Sequence, residues 1–176
     1  MLLLIIAIVV LLLFGIYYYN RLIRIKNEVD NATGSINAML KNRYDLIPNL
    51  VDTVKTYMTY ETDVLNKLTS MRTIALDNRT SDKEKFKIDS QINQSVKQLI
   101  VSAENYPDLK ASQNFTQLQE SWTDVEDRIS ASRRFYNNAV TEYNIAIKYF
   151  PQNIVAGFMN LKPKSIFEIT TQETEN

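Results

Sequence analysis

Three clusters of polar side chains are the candidates for chemistry in this chain of 176 residues. Asp124, Glu126 and Asp127 form a short carboxylate run, the minimum from which a carboxylate-only acid and base could be drawn. Arg43, Tyr44 and Asp45 put a cation, a phenol and an anion in succession just ahead of Pro48. Arg128, Arg133 and Arg134 place three cations on one helical stretch, with Arg133 beside its apolar stripe. Each cluster also has an ordinary explanation. A carboxylate run is what a solvated helix face carries, polar residues at a turn serve as caps, and arginines along a helix pair with nearby acids or lay their stems over the core edge. The functional expectation is that Arg43, Tyr44 and Asp45 contact a partner, and that Arg43 converges with the Arg128, Arg133 and Arg134 cluster on an acidic lipid headgroup or a partner carboxylate.

Much other chemistry is excluded by what the chain lacks. It contains no His and no Cys, which removes imidazole bases, thiolate nucleophiles, disulfides and most zinc sites. A di-iron site in a helical bundle needs Glu-x-x-His motifs, so it falls with the histidines. No glycine-rich phosphate loop is present and no nucleophile has a visible base. No cofactor, metal or catalytic residue is therefore expected, and the chain reads as a non-enzyme. The 20 Lys plus Arg equal the 20 Asp plus Glu, whereas a nucleic-acid binder carries a basic excess or stripe. Nucleic acid is not an expected partner. Glu61 and Arg72 interrupt an otherwise apolar stripe. Eleven residues separate them, about three helical turns, so each needs a partner from another helix to offset partial burial.

The elements that must position these residues are helical. From Leu2 to Ile16 every residue is apolar or glycine, and Tyr17, Tyr18 and Tyr19 follow. Residues 2–19 at about 1.5 Å each cover roughly 27 Å, one crossing of a bilayer core of about 30 Å, with the tyrosines at headgroup level. The expected organisation is a transmembrane signal-anchor over 1–19, a helical domain over 20–167 and a disordered tail over 168–176. Arg21, Arg24 and Lys26 follow the span, so the positive-inside rule puts the domain in the cytoplasm. Leu22, Ile25, Val29, Ala32, Ile36 and Met39 alternate at three and four residues, the spacing of a coiled-coil seam, and no breaker separates them from the anchor. A tight turn is expected at residues 43–48, because Pro48 cannot donate within a helix; a kinked continuous helix is the alternative. A second helix carries Ile47, Val51, Val54, Met58, Leu65, Leu68 and Ala75. The third opens on a capping box, Ser81 with Glu84, and stops at Pro107. The fourth runs from Phe115 to Phe150 and ends at Pro151. Beyond it the apolar residues lose their periodicity and are expected to pack against the bundle end. The fold class is all-α: a single N-terminal transmembrane helix followed by an antiparallel four-helix bundle with long helices.

Four stretches together resemble the LemA family: Asn42 to Val51, Tyr106 to Lys110 with Asn114 and Phe115, Arg128 to Val140, and Phe150 to Gly157. The resemblance covers most of the chain. It implies a bacterial, single-pass cell-membrane protein with a helical bundle and no established reaction, and it brings in relatives of magnetosome membranes, which points to membrane organisation. The resulting expectation is a membrane-anchored interaction or structural protein, whose partners are the lipid bilayer and an unidentified membrane or cytoplasmic protein. The alternatives are an oligomeric scaffold in which the long helices pair between chains, and an unrecognised enzyme using carboxylates.

Overall fold

Leu22, Ile25, Val29, Ala32 and Ile36 are all buried, each at most 4% exposed, so the spacing read as a helical stripe does face a core. In the computed structural model, which describes residues 1–58 and 60–167, they lie on α1 (Leu2–Lys55), and this helix runs through residues 19 and 20 without a break. The other helices are α2 (Thr62–Leu76), α3 (Asp82–Ser102), α4 (Pro107–Lys110), α5 (Gln113–Ala146) and α6 (Gln152–Phe158), with a 3-10 turn at Ala103–Asn105. The protein is all-α, with no strand among the described residues. The tail expected to be disordered, 168–176, lies outside those residues. Among the described residues the helices form two compact units, one of 1–36 with 130–167, the other of 37–129.

In the first unit, Leu22, Ile25, Val29 and Ala32 of α1 share a core with Ala139, Val140, Tyr143 and Ala146 of α5 and Ala156 of α6. Residues 2–14 contribute nothing to it, being exposed throughout. Long, apolar and without a buried residue, this end of α1 is compatible with a membrane anchor. Helix α5 ends at Ala146, short of the expected Phe150. The reason is local. Pro151 drives the residue before it out of helical conformation, and the last turn tightens so that Lys148 N–H reaches Ile145 O at 3.0 Å. After Pro151 the chain forms α6, a helix that the irregular spacing of its apolar residues concealed.

In the second unit, the expected turn at residues 43–48 is absent, and Pro48 sits inside α1. A proline at 48 removes the bond to the carbonyl of residue 44, and the structure supplies a replacement: Arg72 Nε of α2 donates to Tyr44 O at 2.8 Å. The apolar stripe also crosses the proline intact, with Leu40, Tyr44, Ile47, Leu50 and Val54 all at most 3% exposed. Burying such side chains is worth about 2 kcal/mol each, against about 3 kcal/mol for an interior proline. The helix stops instead after Lys55, where Val54 O accepts from both Tyr57 N and Met58 N and Met58 is buried. Ile47, Val51 and Val54 thus belong to α1 rather than to the second helix. The capping residue of α3 is as read: Ser81 Oγ accepts from Glu84 N.

Candidate functional site

The second unit is organised around Arg43, which is 1% exposed. Its position on α1, one residue before Tyr44 on the inward stripe, turns the guanidinium into the core, where an unpaired charge costs several kcal/mol. Asp89 of α3, itself fully buried, meets it: Arg43 Nη1 donates to Oδ1 at 3.0 Å and Oδ2 at 2.9 Å. The guanidinium carbon also lies 5.3 Å from the centroid of the Trp122 ring on α5, within reach of a cation–π attraction. Trp122 Nε1 donates to Asn93 Oδ1 at 3.2 Å, Asn93 Nδ2 donates to Glu126 Oε1 at 2.9 Å, and Lys97 Nζ lies 3.1 Å from the same oxygen. Partial burial pushes the Glu126 carboxyl up, but the hydrogen bonds from Asn93 and Lys97 and the charges of Lys97 and Arg43 outweigh it and hold it below its ordinary value. The result is a polar chain joining α1, α3 and α5 that runs from the buried Arg43–Asp89 pair out to exposed Lys97. Its donors and acceptors hold the three helices in register, while Arg43 Nε is buried without a hydrogen-bond partner among the described residues.

The two interrupting charges have the partners from other elements that they required. Arg72 caps Tyr44 O and comes within 3.7 Å of Asp45. Glu61 accepts from Tyr106 Oη at 3.1 and 3.2 Å; desolvation and then this carboxylate raise the Tyr106 phenol, keeping it a donor. The remaining predicted residues separate. Tyr44 is buried and Asp45 exposed. Arg128 pairs with Asp124 at 3.0 Å on an exposed helix face, and exposed Arg134 donates to Ser130 Oγ at 3.3 Å. Arg133 lies 4.5 Å over the ring of Phe167. Arg43 and Arg128 belong to the second unit and Arg133 and Arg134 to the first, and each engages a partner within its own unit. Of the carboxylate run, Asp124 is ion-paired and Glu126 belongs to the polar chain. No group of three or more acidic side chains suited to a metal occurs among the described residues.

In the first unit, α5 holds the extended segment 161–167 by its backbone. Asn144 receives Lys164 N at Oδ1 (2.9 Å) and donates from Nδ2 to Lys164 O (2.7 Å). Asn137 does the same to Phe167, at 2.7 and 3.0 Å. Tyr143 Oη and Tyr136 Oη donate to the carbonyls of Lys162 and Ser165. The register follows from simple geometry: seven residues of helix rise about 10.5 Å, and three residues of extended chain span about 10 Å. Lys164 Nζ completes the contact with Asp30 at 2.8 Å. Burial raises the Tyr143 phenol, partly offset by Lys164, so the donor stays protonated. Side-chain amides reading both backbone groups of one residue form a clamp for an extended peptide whatever its side chains. Sequence reading missed Asp89 and Asn93, whose partners lie far along the chain. The i, i+7 spacing of Asn137 and Asn144 was the available signal for the clamp.

The model of the LemA family matches residues 32–176. Protein LemA of Metamycoplasma hominis is 34% identical over 170 residues, covering 93% of this chain and 77% of that protein. The chain belongs to the LemA family. The matched range contains the polar chain and the asparagines and tyrosines of the clamp, and begins after the apolar end of α1. Magnetosome protein MamQ 2 of Paramagnetospirillum magneticum is 29% identical over 80 residues, 46% of this chain and 29% of that protein. Magnetosome protein MamQ of Magnetospirillum gryphiswaldense is 27% identical over 79 residues, 45% of this chain and 29% of that protein.

Proposed function

We propose that this LemA-family chain is a single-pass membrane-anchored interaction protein, without catalytic activity, that holds its helical part at the cytoplasmic face of the bilayer. The observation that carries the reading is the course of α1. Its exposed apolar end passes without a break into a stripe that is buried from Leu22, three residues after Tyr19. A helix that is apolar on all faces and uncovered belongs in lipid, whereas one that is apolar on a single stripe belongs against a neighbour. Joined without a linker, the two hold the first unit at a fixed height above the membrane. Arg21, Arg24 and Lys26 on the domain side of the span support the cytoplasmic orientation. The non-catalytic reading is supported by carboxylates engaged in ion pairs, Asp89 with Arg43, Asp124 with Arg128 and Glu126 with Lys97.

Protease treatment of intact and lysed protoplasts, with fractionation of the lysate, tests both parts. The expected result is a chain that pellets with membranes, resists alkaline washing and is digested only after lysis. Digestion of the helical part in intact protoplasts overturns the orientation, and recovery in the soluble fraction overturns the anchor.

A further inference from the structure

The junction of α5 and α6 exposes an apolar surface that a water-facing protein would not keep. Tyr149 is 66% exposed, Phe150 78%, Ile154 52% and Phe158 89%. On α6 the residues sort by face. Gln152 and Ala156, four apart, are buried, while Ile154 and Phe158, also four apart, lie on the opposite side of the helix. An amphipathic helix that turns its bulkier apolar face outward is covered by something.

The height of this surface is fixed by contacts within the first unit. With the Gln152 amide oriented so that its oxygen faces Arg21, Arg21 Nη1 donates to it at 2.7 Å and Gln152 Nε2 donates to Ala146 O at 3.0 Å. Ala156 packs in the same core as Leu22 and Ile25. A cleft is lined by Tyr18 and Arg21 of α1 and by Tyr149, Phe150 and Pro151 of the junction. Arg21 is only two to four residues beyond the tyrosine belt, about 3–6 Å along the helix. Tyr149 and Phe150 are therefore beside Tyr18, at the height where aromatic side chains meet headgroups, and Ile154 and Phe158 extend the surface along α6.

We propose that Tyr149, Phe150, Ile154 and Phe158 form a second membrane contact, seated in the interfacial layer of the same leaflet beside the span. The proposal rests on the anchored reading above. The occupant is the bilayer because the surface continues the belt of the anchor at the same height, repeats its aromatic and aliphatic composition, and carries exposed Lys148 at its edge, where the ammonium can reach headgroups while its stem stays with the apolar layer. Two contacts at one height, one of them off the helix axis, fix the rotation of α1 about that axis. They thereby determine which face of the first unit points away from the membrane.

The absence of cysteine makes the test direct. Single-cysteine variants F150C, I154C and F158C of the full chain are labelled with the fluorophore NBD and reconstituted in vesicles of phosphatidylcholine and phosphatidylglycerol. F135C is the control: Phe135 is also exposed, at 55%, but precedes Ala146 on α5 by eleven residues, about 16 Å along the helix. At 150, 154 and 158 the expected result is blue-shifted emission, quenched severalfold more by lipids carrying a nitroxide near the headgroup end of the acyl chain than at 135, and quenched less by aqueous iodide. Quenching equal to the control at all three junction positions overturns the proposal. Protection from iodide that grows with protein density without nitroxide quenching overturns it as well, and assigns the surface to a second copy. Flotation of the same samples separates the two readings: loss of flotation sinks the anchor itself, whereas flotation without nitroxide quenching sinks only the second contact.

Discussion

Arg43 drew attention in the sequence as a surface group, and the reason it is not one is instructive. Charged side chains are rarely buried, and its partner is 46 residues away on another helix, beyond any local pattern. Only the inward phase of the α1 stripe, carried through Leu40 and Tyr44, indicated that residue 43 faces the core edge. Because Arg43 and Asp89 are both buried, removing one leaves the other charge stranded. Asp89→Ala should cost about 3–5 kcal/mol in urea denaturation, and the double variant Arg43→Met with Asp89→Leu should recover most of it. A double variant as unstable as the single one would show that the pair contributes more than mutual neutralisation. Glu126 tests the same chain from the acid side. Its folded carboxyl is held below the ordinary value of 4.5, so its contribution is present above that value and lost as pH falls through the lower, folded one. The stability advantage of the native chain over Glu126→Gln should therefore be flat from pH 7 down to about 5 and shrink below it. A gap that does not depend on pH would place the effect in shape rather than charge.

Helix phase was legible wherever apolar residues recurred at three and four, and the Ser81 cap of α3 was legible from its box. The C-terminal ends of α1 and α5 were not. Pro48 looked like a terminator because a local rule sees only the bond it removes, while the replacement donor, Arg72, comes from α2. The true end, after Lys55, carries neither Gly nor Pro and is set by burial of Met58. A double-mutant cycle measures this exchange. Arg72→Ala alone should cost about 1–3 kcal/mol by stranding Tyr44 O. In a Pro48→Ala background, where residue 48 regains an N–H for that carbonyl, it should cost about 1 kcal/mol less. The ion pair with Asp45 is present in both backgrounds and cancels, so strictly additive losses would mean that Arg72 acts only through charge. The α5 clamp makes a parallel prediction. Asn144→Ala removes two hydrogen bonds from Lys164, and amide exchange at Lys164 should accelerate roughly tenfold or more, with a smaller effect at Phe167, which Asn137 still holds. Equal acceleration at both residues would show that the segment opens as one piece.

Across the entire chain, acidic and basic residues balance at 20 each, so the anchored reading rests membrane attachment on apolar surface rather than on net charge. The two mechanisms respond differently to salt. Raising ionic strength from 0.1 to 1 M shortens the screening length from about 10 to about 3 Å, which releases proteins held by a charged face and leaves apolar insertion untouched. Flotation with vesicles should therefore be unchanged by 1 M salt and by omission of anionic lipid; stripping by salt would shift the attachment to Arg21, Arg24 and Lys26. Deleting residues 2–19 should leave the remaining helices folded, since that segment places no buried side chain in either core. Thermal unfolding followed by circular dichroism at 222 nm checks this. Flotation of the deleted chain should fall sharply. Any flotation that remains should resist salt and vanish with Phe150→Ser and Phe158→Ser, because the exposed apolar side chains of the α5–α6 junction would then carry the contact.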